Sequence, residues 1–184
     1  FTRPYWHRQS EFRDFTYQLR KPSDKNLPWS QPDLVATVNY KVDDVEFSYS
    51  APAQTTFVDR PWGEQRRLLM VAPALNVAIS PRVGIIPVAA ASSTYGVKVN
   101  VSNNVSGISS GKGAVTGKVR LKLPAGWKSS PAEVPFSFTH EGETQNFVFQ
   151  VSVPSVSARG DYKVQAVADY NGLEYTEGYR VIAH

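Results

Sequence analysis

Apolar and polar residues alternate at every second position through most of the last hundred residues of the chain. Val97, Val99 and Val101 alternate with Lys98 and Asn100, and the pattern recurs at 119–123, 134–138, 147–153, 162–168 and 173–181. Successive side chains of a strand point to opposite faces, so each run predicts a strand with one apolar face. The dipeptide Asn171-Gly172 separates the last two runs and predicts a tight hairpin, because both residues accept a positive φ. Strands at this spacing predict an immunoglobulin-like sandwich.

Turn-forming residues are distributed differently in the two halves. Eleven of the 12 glycines follow Arg82, whereas eight of the 13 prolines lie at or before Pro81. A sandwich of this kind needs about 100 residues, so the 184-residue chain has room for two. We therefore predict an all-β chain of two β-sandwich domains, residues 1–80 and 81–184, the second resembling immunoglobulin or fibronectin III domains.

The first domain is predicted to be a small sandwich that follows an extended, aromatic-rich leading segment. The segments 34–42 and 45–50 predict a hairpin that turns at Asp43-Asp44, and 55–59 with 66–72 predicts a second hairpin. The segment 75–80 predicts a fifth strand of the same domain. Residues 1–33 are crowded with prolines, although Phe12, Phe15 and Leu19 have helical spacing, so we expect extended chain with at most one short helix.

Composition argues against several classes of protein. The net charge of +4 is small, and each half contributes +2, so no basic stripe for nucleic acid is expected. No apolar run approaches the roughly 20 residues that span a bilayer. The chain lacks cysteine, which excludes disulfides and thiol chemistry. It begins at Phe1 rather than at Met, which we interpret as a processed or excised piece of a longer protein.

No catalytic, metal or cofactor site is expected from the motifs. His7, His140 and His184 are isolated in sequence, and no zinc-binding spacing includes them. The glycine-rich segment 107–117 lacks the phosphate-loop pattern and is predicted to be a flexible loop. Gly107-Ile-Ser-Ser-Gly111 matches the letters of Gly-x-Ser-x-Gly, but no strand-to-helix elbow that would position a nucleophilic serine is predicted around it.

Four aromatic residues in proline-flanked, loop-like positions are the candidate binding residues: Tyr5, Trp6, Trp29 and Trp62. Exposed rings could stack on sugars, whereas buried rings would serve the first domain or the contact between the halves. Both interpretations are kept, and exposure of at least two of these rings in one row would favour sugar binding. Trp127, by contrast, is predicted to be a packing residue, and Tyr162 is a candidate tyrosine corner. Asn100 and Asn104 match the acceptor pattern for glycosylation.

The second half resembles a known family through a series of short segments. They are Leu121-Lys-Leu-Pro-Ala-Gly-Trp127, Ser130-Pro-Ala-Glu-Val134, Gly142-Glu-Thr-Gln-Asn-Phe-Val-Phe149, Val151-Ser-Val-Pro154 and Gly160-Asp-Tyr162. In this order they resemble the α-galactosidase-associated, immunoglobulin-like domain that is appended to many bacterial secreted enzymes. The resemblance covers about residues 81–184 and implies a fold more than an activity.

The whole chain also resembles the non-catalytic C-terminal part of large bacterial PIG-L/LmbE-like deacetylases. The matching segments are Thr2-Arg-Pro-Tyr-Trp6, Pro61-Trp-Gly-Glu64 and Glu174-Tyr-Thr-Glu-Gly-Tyr179. That family's metal motif, a His-Pro-Asp-Asp segment with a later histidine, is absent here, so no catalytic residue is carried over. The resemblance implies a non-enzymatic accessory module of an extracellular or periplasmic sugar-processing enzyme, whose partner is an upstream catalytic domain of the same polypeptide. The alternative is a carbohydrate-binding module that uses the loop aromatics.

Overall fold

A computed structural model of the protein describes residues 2–9, 14–28, 30–88, 92–106, 113–155 and 159–179. The described residues form strands, turns and one short 3-10 helix, with no α-helix among them, which confirms the all-β class. The chain divides into two compact units, Phe1–Ala72 and Pro73–His184.

In its described residues, the second unit is a sandwich of two four-stranded antiparallel sheets. Its strands are β7 (Leu75–Ser80), β8 (Ser93–Asn103), β9 (Val115–Lys122), β10 (Lys128–Ser130), β11 (Glu133–Phe138), β12 (Thr144–Val153), β13 (Gln165–Tyr170) and β14 (Leu173–Tyr175). One sheet has the order β10-β12-β8-β7 and the other the order β11-β9-β13-β14. The turn at Asn171-Gly172 connects β13 to β14, and both residues have a positive φ, as the sequence predicts.

The core of the second unit is built from the alternating residues of both sheets. In β12 every second side chain is buried, from Phe147 through Phe149 and Val151 to Val153. Val99 and Val101 of β8 and Val119 of β9 meet them in one continuous apolar cluster. The intervening polar residues face outward. Each strand therefore turns its apolar side toward the other sheet, and this is why a period-two pattern leads to two packed layers.

The boundary between the units lies earlier than the sequence suggests. We expected it near residue 81, with the strand 75–80 in the first domain. Instead β7 pairs along its whole length with β8, from Leu75 opposite Asn103 to Ser80 opposite Lys98, and the second unit begins at Pro73. Leu75 is fully buried in the core of the second unit. Strand β7 therefore belongs to that unit, because its apolar side chains are buried there.

The described residues of the first unit form three two-stranded antiparallel sheets. They pair β1 (Trp6–His7) with β2 (Gln18–Leu19), β3 (Val35–Val42) with β4 (Val45–Pro52), and β5 (Gln54–Asp59) with β6 (Gly63–Leu68). The predicted turn at Asp43-Asp44 is confirmed, with Asp43 at a φ of 52°. Leu19 lies in β2 rather than in the short helix we considered, and a 3-10 helix at Pro22–Asp24 follows that strand. Phe12 falls outside the described residues.

The leading segment is attached to the rest of the first unit by hydrogen bonds. The Thr2 amide donates to the Val71 carbonyl at 2.8 Å, and the Val71 amide donates to Thr2 Oγ1 at 2.7 Å. Arg20 Nε donates to the Pro4 carbonyl at 2.9 Å. Among the described residues, however, every buried hydrophobic side chain lies at or after Leu75. The first unit is therefore held by backbone pairing and has no buried apolar core of its own in its described part.

Candidate interaction surfaces

Trp62 lies at the tip of the β5–β6 hairpin and is 76% exposed. The turn beneath it is fixed by two hydrogen bonds: the Trp62 amide donates to the Asp59 carbonyl at 3.1 Å, and Gln65 Nε2 donates to the Trp62 carbonyl at 3.0 Å. Gly63 follows with a φ of 72°, a conformation that favours glycine. The sequence Trp62-Gly63 thus presents an indole ring to solvent on a well-defined turn.

Trp6 belongs to a separate aromatic cluster. Its ring is 41% exposed and meets Tyr17 edge to face, with ring centroids 4.8 Å apart. The guanidinium of Arg8 lies over the same Tyr17 ring, 5.4 Å from its centroid. Tyr5 is half-buried, and Trp29 falls outside the described residues. Within the described part of the chain no ring contact joins Trp6 to Trp62, and sugar binding by the four candidate rings stays a prediction.

The β3–β4 hairpin has an exposed apolar face that we did not predict as a functional surface. The register places Val38 opposite Tyr49, Tyr40 opposite Phe47 and Val42 opposite Val45. These six residues, the ribbon face, are each between 44% and 65% exposed, and the rings of Tyr40 and Phe47 stack at 5.3 Å. The opposite face is polar: the hydroxyls of Thr37 and Ser50 are hydrogen-bonded at 2.8 Å, and Lys41 lies across from Glu46.

The ribbon face has the properties of an interaction surface. A two-stranded hairpin alone is marginally stable in water and normally packs its apolar side against another layer. Contiguous exposed apolar patches are uncommon on monomeric proteins and mark binding sites when they occur. The alternation of apolar residues in β3 and β4 was visible in the sequence, but the exposure of the resulting face was not.

On the second unit, an ion-pair network covers the outer side of the β9–β13–β14 sheet. Arg120 binds the Asp169 carboxylate through two nitrogens, at 2.7 and 3.3 Å, and also contacts Glu174 at 2.5 Å. Lys122 contacts the other oxygen of Glu174 at 2.5 Å. Hydrogen bonds from Lys122 and then from Arg120 lower the pKa of Glu174 below its usual value. These contacts join three neighbouring strands, so we assign them a structural role.

A shallow cavity of about 310 Å³ lies beside this network, between the end of β9 and the segment that leads into β13. Tyr162 lines it and stacks on Trp127, with ring centroids 5.4 Å apart and planes inclined by 30°. Trp127 is half-buried and packs against the core, which confirms that it is a packing residue. Tyr162 is 44% exposed at the cavity and is therefore a surface ring rather than the buried corner residue we considered.

The remaining polar candidates are engaged in local contacts. His140 Nδ1 is 2.7 Å from the hydroxyl of Thr139, and His184 falls outside the described residues. Both glycosylation-pattern amides are engaged: Asn100 Nδ2 donates to Asn146 Oδ1 at 3.0 Å, and Asn104 Nδ2 donates to the Pro73 carbonyl at 2.9 Å.

Neither a metal site nor a membrane-crossing helix is found among the described residues. No three histidine or carboxylate side chains there come close enough together to share a metal ion. In the same ranges no helix has the length and apolar character needed to cross a bilayer.

Residues 93–171 are similar to a family of known domains. They match the NPCBM-associated, NEW3 domain of alpha-galactosidase, an immunoglobulin-like domain. The match begins with β8 and ends in the turn after β13, so it includes strands of both sheets but less than half of the chain. No curated protein was found to match the chain. The predicted resemblance to the α-galactosidase-associated domain is thus confirmed for residues 93–171, whereas the resemblance to deacetylases stays a prediction.

Proposed function

We propose that this chain is a non-catalytic accessory module of a larger sugar-processing enzyme. The similarity of residues 93–171 to a domain of alpha-galactosidase is the observation that carries the proposal. The second unit supports it, because the inward-facing side chains of both sheets fill one continuous apolar core. A filled sandwich suits a module that positions or stabilises another domain better than one that encloses a substrate.

The proposed partner of the first unit is the catalytic domain of the same polypeptide, which would cover the ribbon face. This face offers stacked aromatic side chains, which contribute much of the energy of buried contacts between domains, beside exposed valines. The paired strands β3 and β4 already hold these side chains in one plane, so docking would order few additional groups.

The test uses the complete polypeptide that contains this chain. Tyr40→Ser with Phe47→Ser removes the centre of the ribbon face, and Asn39→Ser with Ser48→Asn alters the opposite, polar face of the same two strands as a matched control. We expect only the first pair to lower the melting temperature of the catalytic domain and to expose its junction to proteases. Unchanged melting and proteolysis in the ribbon-face variant would refute this docking.

The finer proposal is that the enzyme is a PIG-L/LmbE-like N-acetyl-sugar deacetylase that acts outside the cytoplasm. It is motivated by the three segments that resemble such proteins, including Pro61-Trp-Gly-Glu64 at the exposed hairpin tip. The complete polypeptide should then release acetate from N-acetylglucosamine derivatives in a zinc-dependent manner, and fractionation should find it in the periplasm or medium. Release of sugars without release of acetate, or a cytoplasmic location, would refute this assignment.

A second candidate function is sugar binding by an exposed loop aromatic. The 76% exposure of Trp62 on a fixed turn favours it, because an indole face can stack on a sugar ring. Titration of the chain with soluble oligosaccharides should quench tryptophan fluorescence, and Trp62→Ala should remove that response. A response that persists in this variant would exclude Trp62 as the binding residue.

A further inference from the structure

The two sheets of the second unit have different outer surfaces. On the β11-β9-β13-β14 sheet each basic side chain of β9 is paired with a carboxylate, as Lys118 is with Glu133. On the other sheet, the outward-facing residues of β8, β10 and β12 include two lysines and no carboxylate. These residues, the lysine face, are Thr94, Gly96, Lys98, Asn100, Ser102, Lys128, Ser130, Thr144, Asn146, Val148, Gln150 and Ser152. One outer surface therefore neutralises its own charges, whereas the lysine face keeps two positive charges.

The two lysines of this face, Lys98 and Lys128, are exposed and lie far apart on the sheet. Neither ammonium group is paired with a carboxylate of the described residues. Lys128 lies opposite Ser152, which in turn lies opposite Thr94, four residues before Lys98 on the same strand. The two lysines are thus two strands and four residues apart, which separates their Cα atoms by roughly 17 Å.

The surface between the two lysines is uncharged. Gln150 lies there, with Gly96 opposite it on β8 and Ser130 opposite it on β10. A Cβ added at Gly96 would have only Gln150 Nε2 near it, at 3.9 Å, so the backbone of β8 is open at this point. Val148, opposite Lys98, is 54% exposed and adds a small apolar patch. Amide and hydroxyl groups that donate and accept hydrogen bonds, beside an apolar patch, suit a ligand with sugar rings and hydroxyl groups.

The spacing of the two charges selects the class of anionic ligand. A nucleic acid strand carries a phosphate about every 3.4 Å and is bound through many Lys and Arg side chains. Two charges roughly 17 Å apart fit instead a polymer whose anionic groups are sparse and separated by hydroxyl groups. We propose that the lysine face binds an acidic polysaccharide, whose uronate carboxylates pair with Lys98 and Lys128 and whose rings lie over Gly96, Val148 and Gln150. The choice of sugar units to carry the carboxylates rests on the proposed sugar-processing context.

The probes are hexagalacturonate and its fully methyl-esterified form, which has the same rings without the charges, titrated into the isotopically labelled 184-residue chain and followed by NMR. For the acid we expect amide shifts at residues 94–98, 128–130 and 146–152 with a Kd on the order of 1 mM. Lys98→Ala with Lys128→Ala should weaken its binding roughly three- to thirtyfold, the range that two exposed ion pairs give, and the ester should bind more weakly by a similar factor. The melting temperature of this double variant should be unchanged, because both side chains are exposed.

The matched control is Lys118→Ala with Lys122→Ala, which removes the same net charge from the outer side of the other sheet. It should leave the Kd within about twofold of the original, because salt screens charges that are more than a Debye length away. The proposal is overturned if the acid shifts none of these residues, if acid and ester bind equally, or if the two double variants weaken binding equally. Tighter binding of a short oligothymidylate to the same residues would also overturn it, because the face would then be a nucleic-acid surface. Each of these results leaves the accessory role intact, because that role is tested on the complete polypeptide.

Discussion

Among the described glycines of the second unit, Gly117 has the least room for a side chain. It lies in β9 directly opposite Phe136 of β11, whose ring covers it. A Cβ added at Gly117 would be 2.1 Å from the Asp169 carbonyl oxygen and 2.5 Å from Cζ of Phe136. Carbon atoms in van der Waals contact are about 3.5–4.0 Å apart, so one methyl group would clash with both the neighbouring strand and the ring.

The expected cost of Gly117→Ala follows from those distances. Overpacking a well-ordered core typically costs 1–3 kcal/mol and occasionally more. Here the closest obstacle is backbone of β13, which is hydrogen-bonded into the sheet, and the next is a ring that is 4% exposed. Neither can move without disturbing further contacts, so we expect a loss of about 3 kcal/mol, at the upper end of that range. For a domain of about 100 residues this lowers the melting temperature by roughly 12–24 °C.

The matched control is Gly96→Ala in β8, where only the flexible end of the Gln150 side chain lies near the added Cβ, at 3.9 Å. The control should be neutral or slightly stabilising, since alanine restricts the unfolded chain more than glycine does. Urea unfolding followed by circular dichroism measures both variants against the original chain. A Gly117→Ala variant as stable as Gly96→Ala would show that β9, β11 and β13 are not packed as described.

Two further predictions concern the loop between β11 and β12 and its neighbour β8. Glu143 accepts hydrogen bonds from the Thr139 amide at 2.7 Å and from Gln145, and these bonds lower its pKa. The ionised side chain therefore stabilises the fold above the usual glutamate pKa, and this stabilisation is lost as pH falls through the lowered pKa. Glu143→Gln should therefore flatten the fall in melting temperature between about pH 5 and pH 3, and an unchanged acid limb would contradict this. Asn103 is fully buried, donates to the His140 carbonyl at 2.9 Å and accepts from the Val105 amide at 3.1 Å. Asn103→Ala should cost about 1–3 kcal/mol in urea unfolding, because the Val105 amide loses its side-chain partner and the His140 carbonyl keeps the longer bond from the Glu143 amide at 3.4 Å. A smaller loss would mean that water replaces the side chain.

The sequence predicted much of the second unit because β8, β9, β11 and β12 alternate regularly and both sheets are covered on one side. Period-two runs located β8, β9, β11 and β12, and the Asn171-Gly172 pair located the last hairpin. The boundary between the two units was predicted about eight residues too far along the chain, because the positions of proline and glycine indicate turns and not which strands pair. Leu75 to Ser80 has the composition of any buried strand, and only the packing of its side chains beside β8 assigns it to the second unit.

The candidate surfaces were harder to predict, since ring exposure depends on which layers meet. Tyr5, Trp6 and Trp62 were chosen for their proline-flanked positions, and of these Trp62 is the most exposed. Tyr162 was missed as a surface ring because its Gly160-Asp161-Tyr162 setting resembles a buried corner. Its stacking on Trp127 joins residues 35 positions apart, a contact that no local pattern encodes.

The ribbon face leaves much apolar surface of the first unit in contact with water, which costs free energy. Strands β3 and β4 alternate as regularly as β8 and β12, but in the described residues no layer covers their apolar side as the second sheet covers β8. The six side chains are already about half buried by their neighbours, and fully burying a large apolar side chain gives roughly 1.5–3 kcal/mol. Covering the remaining half of all six would thus add on the order of 5 kcal/mol, comparable to the whole stability of a small domain. Because covering the ribbon face would release this much free energy, the face is suited to bind another apolar surface. The docking proposal assigns that surface to the catalytic domain for this reason.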